Sequence, residues 1–454
     1  MIMTNSPPKA EKKELFGWAM FDFANSSYTT VIITVVFSVI FPRLIVGSDS
    51  SSLAGEPEYR LGNLLWSVAL SISYLFVVLT APIFGAIMDF SASKKKFLFY
   101  SYIVTVISTA LLYFVSPGAV ILGVVLVILS NFGFASGEDF VSAFLPELGK
   151  AEDLGKISGY AWGLGYFGGL FSAGIAIFAL GAGNVTLQNY ENLRLVGPVT
   201  AVFFALAAIP TFIFLKEKGK PRDGIARENY LLVGISRLSR TFRDIRDYRD
   251  LMAFLASYFF SYAGLSIIIS FAFIYGDQVI HWSPLAQTLM FVITQLTAAL
   301  GAFIFGHIQD RFGAIKSYNM TMMLWVVSVI LIFFTGDITS AANSILGTTW
   351  KPEFVFLWVG SLAGMGLGAT QSASRALVGF FSPESKSGEF FGFWGLFGKL
   401  SSVFGILGLG VLQTELGLKN AILITAVFFF IAFLFTFSVN EKRGREAAIA
   451  HEGE

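Results

Sequence analysis

Apolar residues run through this chain in long blocks separated by short polar segments, without apolar/polar alternation. A bilayer core about 30 Å thick needs roughly 20 consecutive apolar residues in helical form. Blocks of that length fall at 16–42, 61–88, 97–115, 118–145, 157–181, 195–215, 250–276, 284–308, 315–335, 354–381, 388–414 and 420–439. They predict an all-α membrane protein with twelve transmembrane helices. Membrane strands would be shorter and would alternate with period two, which these blocks do not.

Composition agrees with that reading. Of 454 residues, 55% are hydrophobic and 13% charged, against about 25% charged in soluble domains. Cysteine is absent and only three histidines occur, so no disulfide framework, thiol nucleophile, metal centre or cofactor motif is visible. A net charge of +1 gives no reason to invoke nucleic acid. The first block is long and lacks a small-residue cleavage site, so it reads as a retained helix. Lys and Arg set the orientation. Twenty-four of the 31 lie in the N-terminal segment, in alternate connections and in the C-terminal tail, whereas Arg43, Arg60, Arg194, Lys351 and Lys419 lie on the opposite side. Both termini are therefore expected in the cytoplasm. The short external loops and the lack of Cys fit a bacterial inner membrane.

The longest polar connection, 216–249, carries ten of those basic residues and divides the chain into six-helix bundles at 1–215 and 250–454. Leu231, Ile235, Leu238, Phe242 and Ile245 recur at helical spacing with Arg237, Arg240, Arg243 and Arg246 between them. That pattern reads either as an amphipathic helix on the anionic inner leaflet or as a solvated linker. The halves look like diverged copies. Gly85 and Asp89 end the second block as Gly306 and Asp310 end the eighth. Pro146-Glu147 closes the fourth as Pro383-Glu384 closes the tenth, and Glu138 and Arg375 each stand eight residues before those prolines. Repeats of this kind build transporters with a central site between two bundles.

Several motifs carry a more specific likeness. The Gly-x-x-x-Asp segments after blocks two and eight resemble the signature loop of the major facilitator superfamily, and only the second keeps an Arg after the Asp, Arg311. "FDFANSS", "PIFGAIMD", "SAFLPEL", "ATQSASRAL" and "EFFGFWGLFGKLSS" together resemble its vacuole-effluxer-like, or unknown-major-facilitator, branch. That resemblance implies a twelve-helix alternating-access transporter of small metabolites, amino acids among them, with helices one, four, seven and ten around the central path. The seventh block departs from the pattern. Where relatives often carry Asn-Asp-Gly, this chain reads "YFFSYAGLSI", with Tyr262 and Ala263 in place of the amide and the acid.

Charged side chains inside a membrane are costly, and they usually face the bundle interior with a partner. Asp22, Asn25, Ser26 and Thr29 form one polar stripe in the first block. Asn131, Ala135, Glu138 and Ser142 share a face in the fourth, with Asp139 rotated by about 100°. Gln371 and Arg375 share a face in the tenth, and Lys399 lies near the middle of the eleventh. Glu138 or Asp139 is expected to meet Arg375, either as an inner gate between halves, as a fixed pair within one half, or at the substrate. Lys399 is expected to face the cavity, and Asp22 is the remaining carboxylate suited to proton coupling. Trp162, Tyr166, Tyr258, Tyr262, Gln295 and Trp394 are candidates to complete the pocket. Asp89 beside Lys94–Lys96, and Asp310 beside Arg311, are expected to fasten loops to neighbouring helix ends.

No convergent nucleophile, acid–base pair or metal cluster points to an enzyme. The function expected is secondary transport of a small polar metabolite by a monomer in the lipid bilayer, with protons as coupling ion. A lipid or drug exporter of the same fold is the alternative.

Overall fold

The computed structural model describes residues 10–47, 57–183, 185–219, 236 and 248–452. Eleven of its helices are long and apolar enough to cross a bilayer. They are α1 Lys12–Val46, α2 Leu61–Ser91, α3 Lys94–Phe114, α4 Val120–Leu148, α5 Ala151–Leu180, α6 Leu187–Phe214, α7 Arg249–Ile280, α8 Pro284–Phe312, α9 Ala314–Phe333, α10 Pro352–Phe381 and α11 Glu384–Gln413. A bent pair, Glu415–Ala421 and Leu423–Thr436 with 61° between its arms, makes a twelfth span when taken as one and is labelled α12. Within the first arm the helix breaks at Gly417, whose φ of 72° and ψ of 154° fall where only glycine goes without strain.

Local chemistry sets several of these ends. Ser283 caps α8 by accepting from the Ala286 amide at 3.2 Å, and Pro284 occupies the first helical position, where its missing N–H leaves no bond unmade. The later part of α1 winds as π-helix at Thr29–Val35 and Phe41–Val46. A further helix, Thr335–Leu346, sits in the polar connection after α9. The amphipathic helix expected around Leu231–Ile245 falls outside the described residues, apart from exposed Ser236.

Packing repeats between the halves. In the first half α1 packs on α5 and α6, α2 on α4, and α3 on α4 and α6. In the second half α7 packs on α11 and α12, α8 on α10, and α9 on α10 and α12. The second set is the first with every helix advanced by six. Two seams join the halves and obey the same rule: α5 lies against α8 and α10, and α11 lies against α2 and α4.

Both seams close by backbone contact at the end of the bundle carrying the basic connections. A Cβ added to Gly85 would stand 2.1 Å from the Gly388 carbonyl oxygen, and one on Gly159 would stand 2.4 Å from that of Ala302. Only glycine lets helices approach so closely. The terminal helix Glu441–Ala450 braces the second half from below. Glu441 accepts from the Ala314 and Ile315 amides opening α9, and Arg443 pairs with Asp250 of α7 at 2.7 Å.

Candidate transport site

Two ion pairs cross between the halves inside the bundle. In each, the first half supplies the anion and the second half the cation. Arg375 of α10 donates from Nη1 to Asp22 Oδ2 of α1 at 2.6 Å. Its Nε and Nη2 donate to the hydroxyl and carbonyl oxygens of Ser158 on α5, both at 3.1 Å. The Ser158 hydroxyl in turn donates to the Ser372 carbonyl of α10 at 2.9 Å. Two indoles flank the guanidinium, Trp18 at 4.7 Å and Trp162 at 5.2 Å. Arg375 is 0% exposed, so its charge is held by a carboxylate, two oxygens and two aromatic faces, without water. A fork of fixed donors suits this arrangement better than a lysine would.

The second pair is more open. Lys399 Nζ of α11 donates to Glu138 Oε2 of α4 at 2.9 Å and lies 5.6 Å from the Tyr74 ring centre on α2. The side chains are 9% and 13% exposed. Glu138 also lies within electrostatic reach of Asp22, so the two pairs form one cluster. Around it, the Tyr166 hydroxyl donates to Gln371 Oε1, joining α5 to α10. Trp162 and Tyr166 lie with ring centres 6.2 Å apart, as do Tyr258 and Tyr262 at 5.1 Å, and Trp394 stacks on Tyr258 at 5.8 Å. Gln295 approaches Gly169 of α5 from α8.

The expected partnership therefore exchanges. Glu138 does not meet Arg375; it meets Lys399, and Arg375 takes Asp22. The reason is lateral: Arg375 projects through α5 toward α1, whereas α11 runs beside α4. Asp139 bonds to neither cation, although Lys399 lies within its electrostatic reach. It is 1% exposed and packs against Gly395 of α11. The polar stripe of α1 divides as well. Asp22 reaches Arg375, but Ser26 packs on Gly165 of α5 inside the first half, and neither Asn25 nor Thr29 shows a bond to the cluster among the described residues. Ser158, Trp18 and Tyr74 were not expected here. Trp18 had a signal, because it stands one turn before Asp22 on the same face; Ser158 had none.

Nearer the basic end, each seam is latched by an acid. Asp89, ending α2, accepts from the Gly388 and Glu389 amides at 3.0 and 2.9 Å. Asp310, ending α8, accepts from the Gly155 and Lys156 amides at 3.0 and 3.1 Å. Both sites are first turns of helices in the opposite half, where unpaired amides and the helix dipole favour an anion. Lys94 adds a bond to Glu147 at 2.5 Å, one to Ser387 at 2.7 Å and a contact with Asp89 at 3.7 Å. Arg311 takes no part in the Asp310 latch. It is exposed and lies over the Phe312 ring at 5.5 Å; Lys156, 3.8 Å from Asp310, is the neighbouring cation.

Comparison with known proteins agrees with this architecture. Residues 65–449 match the family model described as vacuole effluxer Atg22 like. An uncharacterized MFS-type transporter of Bacillus subtilis, YxiO, is 27% identical over 92% of both chains. Autophagy-related protein 22-1 of Emericella nidulans is 25% identical over 65% of this chain. The chain spans about half the length of that fungal relative (51%). The solved structure of the major facilitator superfamily proton:xylose symporter XylE superposes with a TM-score of 0.68 at 14% identity, covering 96% of this chain and 97% of its own. The matching family and the structural neighbours are transporters, not enzymes. The chain belongs to the vacuole effluxer Atg22-like family, and it is an integral membrane transporter of the major facilitator type.

Proposed function

We propose that the protein moves a small zwitterionic metabolite of the amino-acid class by alternating access, with protons as coupling ion. The observation that carries this reading is the pair of ionic bonds spanning the two halves, Asp22–Arg375 and Glu138–Lys399. A zwitterion offers both signs of charge within a few ångströms. Its carboxylate competes for Lys399 and its ammonium for Glu138, so binding replaces a bond between halves with bonds to cargo. Trp162, Tyr166, Tyr262 and Gln371 supply aromatic and amide surfaces beside that exchange. The Arg375–Asp22–Ser158 network, centred on the buried Arg375 guanidinium, acts as the pivot.

The two acid latches hold the seams shut toward the basic connections, the state in which cargo enters from the opposite side. Rocking the halves exposes the pocket to the other side once both latches part. The distribution of Lys and Arg supports a cytoplasmic location for the latched end and both termini, and the Bacillus relative supports a bacterial plasma membrane. One chain carries both halves and all the groups named, which fits a monomer. Uptake of radiolabelled amino acids into proteoliposomes, with and without a pH gradient, tests the reading. Saturable, gradient-driven uptake is expected; movement of labelled lipid with no amino-acid uptake would overturn it.

A further inference from the structure

Asp139 is the buried acid that the transport site leaves over. It stands at the α4–α11 seam beside Glu138, and both its carboxylate oxygens are buried without a hydrogen-bond partner among the described residues. The carboxyl packs directly on the opposite helix: a methyl on Gly395 would lie 2.0 Å from Oδ2 and 2.5 Å from Oδ1. The charged and titratable groups around it already have partners or are weak acids. Glu138 on its own helix and Lys399 on α11 are bonded to each other. α7 presents the phenols of Tyr258 and Tyr262. Tyr74 of α2 and Asp22 of α1 stand beyond the Glu138–Lys399 pair. One turn toward the basic end, Lys94 of α3 contacts the Ala143 carbonyl but is committed to Glu147 and Ser387.

An anion in this place would be buried without a donor, with Lys399 in electrostatic reach but bonded to Glu138, a costly state for a carboxylate. The neutral acid lacks that penalty. The seam itself creates the enclosure, since Gly395 belongs to the opposite half. We propose that Asp139 is a proton-binding site linked to the α4–α11 seam: it holds a proton on its carboxyl while the seam is shut and releases it to water when the seam opens. One proton is taken up per closure and one returned per opening. By linkage the open-to-shut ratio rises with pH, by up to about tenfold per pH unit. The proposal rests on the rocking of halves described above, and it gives the coupling proton a place distinct from the ion pairs. The glycine opposite is part of the device, because any side chain there would fill the space the carboxyl needs.

A cysteine-free chain makes the test direct. Lys96→Cys and Lys316→Cys, at exposed positions opening α3 and α9, take spin labels whose separation reports the gap between halves at the latched end. In the parent, the long-distance population is expected to grow across about pH 5 to 9. Asp139→Asn, which keeps the shape and removes the charge, is expected to hold the short distance at every pH. Gly395→Ala is expected to raise the long-distance population throughout. If Asp139→Asn does not fold, Gly395→Ala and the parent titration still decide. A parent whose distances ignore pH, or an Asp139→Asn variant that titrates like the parent, overturns the proton site while leaving rocking intact. Distances fixed in every variant and condition overturn rocking, and the proton site with it. Amino-acid uptake, measured separately, reports on substrate class alone.

Discussion

The two seams are built to one plan and differ in one respect. Each has a close glycine crossing, an acid capping the first turn of the opposing helix, and a cation from the second half reaching an acid of the first. Along α5 the cation is Arg375, sealed from water with three donors used. Along α11 it is Lys399, with one bond to a partly exposed Glu138 and an unpaired acid next door. A saturated ionic network resists separation because parting it strands charges in a dry interior. A lysine with a single bond separates more readily. The same architecture thus yields a pivot on one side and an exchangeable contact on the other.

Removing the cations tests that contrast most severely. Arg375→Met leaves Asp22 buried without its counter-charge, at a cost of about 3–5 kcal/mol. The expected outcome is lost monodispersity or a sharply lowered unfolding temperature in detergent. Asp22→Asn added to Arg375→Met is expected to restore part of the loss, by the coupling of neighbours. Lys399→Met is expected to destabilise less than Arg375→Met, because one bond is lost in place of three, while uptake falls by roughly 10- to 100-fold, or about 1.4–2.7 kcal/mol. If both variants destabilise equally, the pivot-and-exchange distinction fails.

The latches come next. Asp89→Ala and Asp310→Ala each remove an anionic cap of about 1–2 kcal/mol. Each is expected to raise the population open at the basic end by roughly tenfold, read from the spin-label distances. A response from one seam alone would show that the repeat does not extend to mechanics. Tyr166→Phe is the smallest change. Losing its bond to Gln371 is expected to raise KM a few fold, about 1 kcal/mol, with unfolding unaltered; an unchanged KM would remove Tyr166 from the pocket.

Much of the molecule was legible as text. The windows and the repeat of Gly-x-x-x-Asp and Pro-Glu were read directly, and Asp22, Glu138, Arg375 and Lys399 stood out as ions where lipid is expected. The pairing among them was not legible, because depth along a helix can be counted but direction across a bundle depends on which helix lies alongside. Arg375 and Glu138 match in sequence register, yet the two-fold relation between halves sends them into different seams. The role of Asp310 was half legible. Its fastening task could be expected, but the adjacent Arg311 points away, and the true partners are amides 155 and 154 residues distant in the chain.

What the sequence determined by itself is the medium and the count of spans, since the length of an apolar block and the cost of a buried peptide group are local matters. It also determined that few charges enter the membrane, and which ones. Only the tertiary structure decided that Asp22 holds Arg375, that Glu138 holds Lys399, and that Asp139 faces a glycine with no partner. Those outcomes turn on a few ångströms of lateral distance between helices far apart in the chain. Electrostatics and hydrogen bonding are short-ranged enough there to reward one neighbour and strand another.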